Sequence, residues 1–145
     1  MPETSPHPSA ERKRPRERIV MTRTRASAKQ AGTAFETLVV GYLRNALQDI
    51  RIERRARNGA KDRGDVGGLM HMGGRIVVEC KDYGGQIKAG EWTREAEVER
   101  GNDDANAGIV IAKRRGTTNP ADQWVVMTLG DLVSILTGSR EGVPF

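Results

Sequence analysis

The sequence predicts an α/β domain in which a mixed β-sheet is flanked by helices, in the order α-β-β-β-α-β-β-α. Three observations carry that prediction. Apolar residues recur at helical spacing from Ala31 onward. Ile76-Val77-Val78 and Gly108-Ile109-Val110-Ile111-Ala112 are short apolar runs of strand length. Glycine-rich breaks separate these segments.

Each element follows in turn. Phe35, Leu38, Val39, Tyr42, Leu43 and Ala46 form one stripe over four helical turns. Residues 50–57, with Ile50 and Ile52 followed by arginines, predict a strand that leaves the core at its far end. Asn58-Gly59 opens a loop through Lys61, Asp62 and Arg63. A strand begins near Asp65, breaks at Gly67-Gly68 and turns at Gly73-Gly74 into a strand over 75–81. After the Tyr83-Gly84-Gly85 loop, residues 89–106 predict a charged helix that contacts the sheet through Trp92 and Ala96. The interior strand 108–112, a basic loop from Lys113 to Pro120 and a strand at 124–127 follow. Thr128 caps a last helix with the stripe Leu129, Leu132, Val133 and Leu136, ended by Gly138.

The 145 residues support one domain, and the charge is unevenly spread. Residues 1–30 hold eight Lys/Arg against three Asp/Glu, while residues 31–145 hold sixteen of each. The first segment, with Pro2, Pro6, Pro8, Pro15 and Arg12-Lys13-Arg14, has too little apolar material to fold. The expected organisation is a disordered basic arm over 1–30, a folded domain over 31–138 and a short tail over 139–145. A basic arm suits a polyanion partner; it equally suits a solubility tail, with Met21 as an alternative start. Cys80 is the single cysteine, which excludes an internal disulfide and fits a reducing cytoplasm. No apolar run approaches the roughly eighteen residues of a membrane span.

The candidate chemistry lies at the end of strand 75–81. Side chains alternate along a strand, so Val77, Glu79 and Lys81 share one face and Ile76, Val78 and Cys80 the other. Asp65 lies one hairpin arm away. Charges at the end of an apolar strand are costly unless paired or bound to an ion. Two carboxylates on neighbouring strands suit Mg²⁺, which prefers oxygen ligands. Lys81 can orient a water or stabilise negative charge beside it. That combination is what phosphodiester hydrolysis requires. An exposed ion pair on an edge strand is the plainer alternative.

The hairpin sets a condition. A plain two-residue Gly73-Gly74 turn places Asp65 away from the face of Glu79. A three-residue loop, Met72 to Gly74, or a bulge at Gly67-Gly68 corrects this. Glu36 sits at the apolar stripe of the first helix, where it either aims into the site or answers the helix dipole. The Cys80 carbonyl is a further candidate ligand, and Asp82 a candidate support. Arg51, Arg54, Arg55, Arg57, Lys61, Arg63, Lys88, Lys113, Arg114 and Arg115, with Gln86, are candidate phosphate contacts. His71 reads as turn surface. Scarce aromatic residues argue against a base-stacking single-strand binder.

Glu36, Asp65, Glu79 and Lys81 in this order resemble the PD-(D/E)xK nuclease superfamily, with its restriction-endonuclease-like core. Holliday-junction resolvases and their phage-type relatives are the most similar in pattern. The likeness runs from about Gly32 to Leu136 and includes Gly32-Thr33-Ala34-Phe35-Glu36, Gly64-Asp65-Val66, Val77-Val78-Glu79-Cys80-Lys81 and Gly108 to Arg114. It implies one or two Mg²⁺ or Mn²⁺ ions on Asp65, Glu79 and Glu36, with Lys81 catalytic. It further implies a homodimer cutting branched DNA to leave 5′-phosphates, acting in the cytoplasm (the host's, for a phage-encoded chain). Gly64 stands where the motif's proline would be. Three alternatives remain: a non-catalytic DNA-binding module on the same fold, a nuclease for linear or mismatched DNA, and a small basic scaffold with no nucleic-acid role.

Overall fold

The computed structural model describes residues 22–143. The Pro- and Arg-rich part of the arm expected to be disordered, residues 1–21, lies outside the described residues. Helix α1 runs over Arg25–Leu47. It starts before the apolar stripe because Thr24 caps it, accepting a hydrogen bond from the Ser27 amide at 3.1 Å. The first helix therefore begins before residue 31, with an exposed first stretch.

Strand β1 (Glu53–Arg54) is shorter than the expected 50–57. Arg51 folds back onto Asp49 in a local turn, with Nε at 2.9 Å from Oδ1, and this turn replaces strand pairing before Ile52. Strands β2 (Val66–Gly67), β3 (Met70–His71) and β4 (Gly74–Lys81) follow. Helix α2 (Ala89–Asn102) stops short of residue 106, and Asp104 behind it has a positive φ of 47°. The chain closes with β5 (Ala107–Ala112), β6 (Trp124–Val126) and α3 (Leu129–Thr137).

The sheet is mixed and open, in the order β1-β2-β4-β5-β6, with β3 also paired to β4. Only the β4–β5 pair is parallel; the other pairs are antiparallel. Helix α2 makes the crossover between the two parallel strands, as such a connection requires. Ile76, Val78 and Cys80 pack with Phe35, Val39 and Val40 of α1 and with Ile109 and Ile111. On the opposite face, Trp92 and Ala96 of α2 cover Val110 and Ala112. Glu79 and Lys81 pair in register with Val110 and Ala112 and so lie on the α2 face.

The hairpin differs from the expected turn. Its loop is Met72-Gly73, both at positive φ (49° and 81°), with His71 opposite Gly74. Between the pairs Val66–Val78 and Met70–Arg75, residues 67–69 face only 76 and 77. One extra residue therefore bulges at the glycine pair. Gly68, at φ +80°, lies against the Arg51 carbonyl, where any Cβ would collide with backbone.

Helix α3 turns its apolar stripe outward. Leu129 and Leu136 are 76% and 67% exposed, and Leu132 and Val133 are also exposed. Polar residues hold the helix to the sheet instead. Asp131 is buried and accepts from the Gly108 amide (3.3 Å), Thr128 Oγ1 (2.6 Å) and Arg140 (2.6 Å). Arg140 also reaches Glu97 of α2 at 3.2 Å, and Val143 is buried, so the expected tail packs on the domain as far as residue 143. Among the described residues no helix is long and apolar enough to cross a membrane.

Candidate metal centre and nucleic-acid interface

The candidate site is built around the edge of β4. Gly64, at φ +85°, brings the chain against that strand; a Cβ there would sit 2.7 Å from a Val77 methyl and 2.9 Å from the Val78 carbonyl oxygen. Proline, fixed near φ −65°, cannot adopt this conformation. Position 64 therefore excludes proline for a local backbone reason. The Asp65 amide then donates to the Val78 carbonyl at 2.8 Å, although the register partner of Val78 is Val66. The chain slips by a residue at this step. The Asp65 carboxylate consequently runs along the sheet edge and accepts from the Cys80 amide at 2.8 Å.

From that position Asp65 acts on acids at both sheet faces. Glu36 on α1 is buried, and its carboxyl is raised above the ordinary range by burial first and by the charge of Asp65 second. Glu79 on the α2 face is raised by burial, then by Asp65 and Glu99. The Cys80 thiol is also raised, chiefly by burial, and stays protonated. The contact Cys80 makes here is through its amide.

Lys81 extends from the same face as Glu79, with Nζ 3.0 Å from Glu79 Oε1 and hydrogen-bonded to Glu95 of α2. Burial works against its charge, yet the bonds to Glu95 and Glu79 outweigh it and hold the amine protonated. The charged form of Lys81 is thus the favoured one.

Sequence reasoning missed Glu95 and Glu99. They lie one turn apart on α2, beside the inward-facing Trp92 and Ala96. The signal was available, since acids at i and i+4 flanking an inward pair must border the sheet. Glu99 is raised by burial, and its Oε2 is buried without a hydrogen-bond partner.

Carboxylate oxygens, one of them buried and unpartnered, are the donor chemistry a hard divalent cation requires. The residues therefore fit Mg²⁺ in kind. Among the described residues no three acids, histidines or cysteines converge as a ready-made cage. Two of the acids are instead held by cations. Glu79 is engaged by Lys81, and Glu36 by Arg54 (3.0 Å) and Arg57 (3.8 Å).

The basic residues cluster beside this edge in two hollows. Arg54, Arg55, Arg57 and Arg63 line a cavity of about 460 Å³. Within it Arg55 and Arg63 turn to Asp103, at 3.1 and 3.8 Å. Lys113, Arg114 and Arg115 line a second, of about 400 Å³, together with Arg23. Arg114 stacks over Trp124 at 4.5 Å, Lys113 lies over Phe35 at 5.9 Å, and Arg115 donates to the Gly84 carbonyl. Lys88 lies over Tyr83, Lys61 and Gln86 are exposed, and His71 lies on the exposed hairpin. Asp82 pairs with Arg23 at 3.2 Å.

Fold and site together define an α/β protein with a mixed, open sheet flanked by three helices and an acid-lysine cluster at one strand edge. The chain matches no protein-family model, no curated protein and no solved structure.

Proposed function

We propose that the chain is a Mg²⁺-dependent DNA endonuclease on a restriction-endonuclease-like core, selective for branched DNA and acting as a homodimer in the cytoplasm. The observation that carries this reading is Asp65 lying within electrostatic reach of Glu36 on one side and Glu79 on the other, with Lys81 on Glu79 and an arginine-lined cavity on the Glu36 side.

Asp65, Glu79, Glu36 and the Cys80 carbonyl would hold the cation, Mg²⁺ or Mn²⁺. When bound, it supplies Lewis-acid polarisation of the phosphate and a more acidic water. Lys81, fixed as a cation by Glu79 and Glu95, stabilises negative charge developing on the phosphate. The arginines of the two cavities, with Lys61, Lys88, Lys113, Arg114 and Arg115, hold the sugar-phosphate backbone without reading bases. Homodimer formation is supported by the outward apolar stripe of α3.

The test is cleavage of four-way junction, flap, duplex and single-stranded DNA with Mg²⁺ or EDTA. Selective nicking of the junction, abolished by EDTA and leaving 5′-phosphates, is expected. Equal cutting of plain duplex would point to a general nuclease. Retardation of the junction without any nick would leave only a DNA-binding module.

A further inference from the structure

Glu36 differs from the other acids of the cluster in its partners. Arg54 Nε donates to its Oε2 at 3.0 Å, and the Arg57 guanidinium lies 3.8 Å from its Oε1. The anion is buried and the cations are not: the side chains are 7% exposed for Glu36, 43% for Arg54 and 75% for Arg57. Both arginines line the cavity of about 460 Å³, open to an incoming polyanion. Arg55 and Arg63 line it too, but they are balanced by Asp103, which lies outside the cluster. One cavity therefore holds two kinds of arginine, and only one kind neutralises a candidate metal ligand.

A backbone phosphate entering the cavity competes with Glu36 for Arg54 and Arg57. Arginine binds phosphate oxygens through the same fork of N–H donors that it offers a carboxylate. Once those donors turn to the phosphate, Glu36 is left buried, close to Asp65 and without its counter-charge. A buried unpaired carboxylate is costly, and a cation shared with Asp65 removes the cost.

Resting on the nuclease reading of this site, we propose that Arg54 and Arg57 form a latch on Glu36. DNA phosphate draws them away and frees the third carboxylate of the cation site, so DNA and divalent cation bind with positive coupling. Linkage makes the effect reciprocal: DNA raises cation affinity by the factor by which the cation raises DNA affinity. The protein without DNA is then a weak cation binder, and the site assembles where substrate lies.

The experiment uses full-length protein carrying Lys81→Met, to keep the DNA intact. Mn²⁺ binding is titrated by electron paramagnetic resonance with and without a duplex oligonucleotide, at fixed ionic strength and after subtraction of Mn²⁺ bound by DNA alone. Mn²⁺ affinity is expected to rise with DNA by a factor within the usual range for such couplings, roughly 5- to 150-fold. Adding Arg54→Gln and Arg57→Gln should raise Mn²⁺ affinity without DNA and shrink the coupling towards one. Lys61→Gln with Arg63→Gln removes the same charge nearby; it should weaken DNA binding yet keep the coupling.

Three results overturn the latch. Equal Mn²⁺ affinity with and without DNA does so while leaving the metal site intact. Unchanged coupling in the Arg54/Arg57 variant reduces both arginines to plain phosphate contacts. No saturable Mn²⁺ binding in either condition removes the nuclease reading along with the latch.

Discussion

Lys81 shows how one side chain's neighbours fix its chemical role. Held between Glu79 and Glu95, its amine is favoured in the charged form despite burial, which suits charge stabilisation. Lys81→Met should therefore lower junction cleavage by on the order of 10²–10³-fold, the scale of one lost transition-state donor. Junction affinity should change little, as a gel-shift titration with Ca²⁺ would show. That Glu79 and Lys81 share a face was readable from the sequence, because side chains alternate along a strand. Glu95 and Glu99 were legible too, because they flank Trp92 and Ala96, the pair expected to face the sheet and found there, but among the several acids of a charged helix that spacing was not followed through.

At the scale of the element, two backbone irregularities position Asp65: the bulge at 67–69 and the tight approach of Gly64. The need for an irregularity was legible from counting residues around the hairpin. The bulge at the glycine pair was one of the two forms the count allowed; the turn was not legible, because Met72 rather than Gly74 joins Gly73 in it, and a non-glycine residue at positive φ leaves no clear mark. Gly64→Ala should destabilise the fold by at least about 1–2 kcal/mol, the usual cost of a side chain in left-handed backbone, because Val78 lies in the way as well. A lowered urea midpoint with unchanged slope would confirm this; an unchanged midpoint would mean that Gly64 can relax without effect. Helix α3 was legible as an element and deceptive in orientation. Its apolar period predicts an inward stripe, yet Asp131 and Ser134 are the buried residues. Bonds from Gly108, Thr128 and Arg140 to Asp131 outweigh the period.

Two consequences belong to the whole molecule. The outward stripe is a contiguous apolar surface of the kind that marks protein contacts. Leu129→Glu with Leu136→Glu should shift the protein from dimer to monomer in sedimentation velocity while leaving its circular dichroism unchanged; a wild-type protein already monomeric at micromolar concentration would remove the homodimer from the account. The second consequence is a pH dependence. Glu79 and Glu99 have carboxyls raised in the fold above 4.5, so above that pH the folded state holds more protons than the unfolded chain. Stability of the metal-stripped protein should then fall as pH rises from about 4.5 towards the raised values, since it decreases wherever the folded state binds more protons. Thermal melts in EDTA across that window should show the decline, and millimolar Mg²⁺ should flatten it. A flat EDTA series would mean that the acids are less confined than their burial implies.

The central claim is that these carboxylates hold a cation that cuts phosphodiesters, and single-turnover cleavage of a labelled four-way junction tests it most directly. With Mg²⁺ the wild-type protein should nick the junction, while Asp65→Ala and Glu79→Ala should bind it and fall by on the order of 10³-fold or more in rate, the several kcal/mol that a bound metal contributes. Variants that cut at the wild-type rate, or a wild-type protein that retards the junction and never nicks it, would contradict the account.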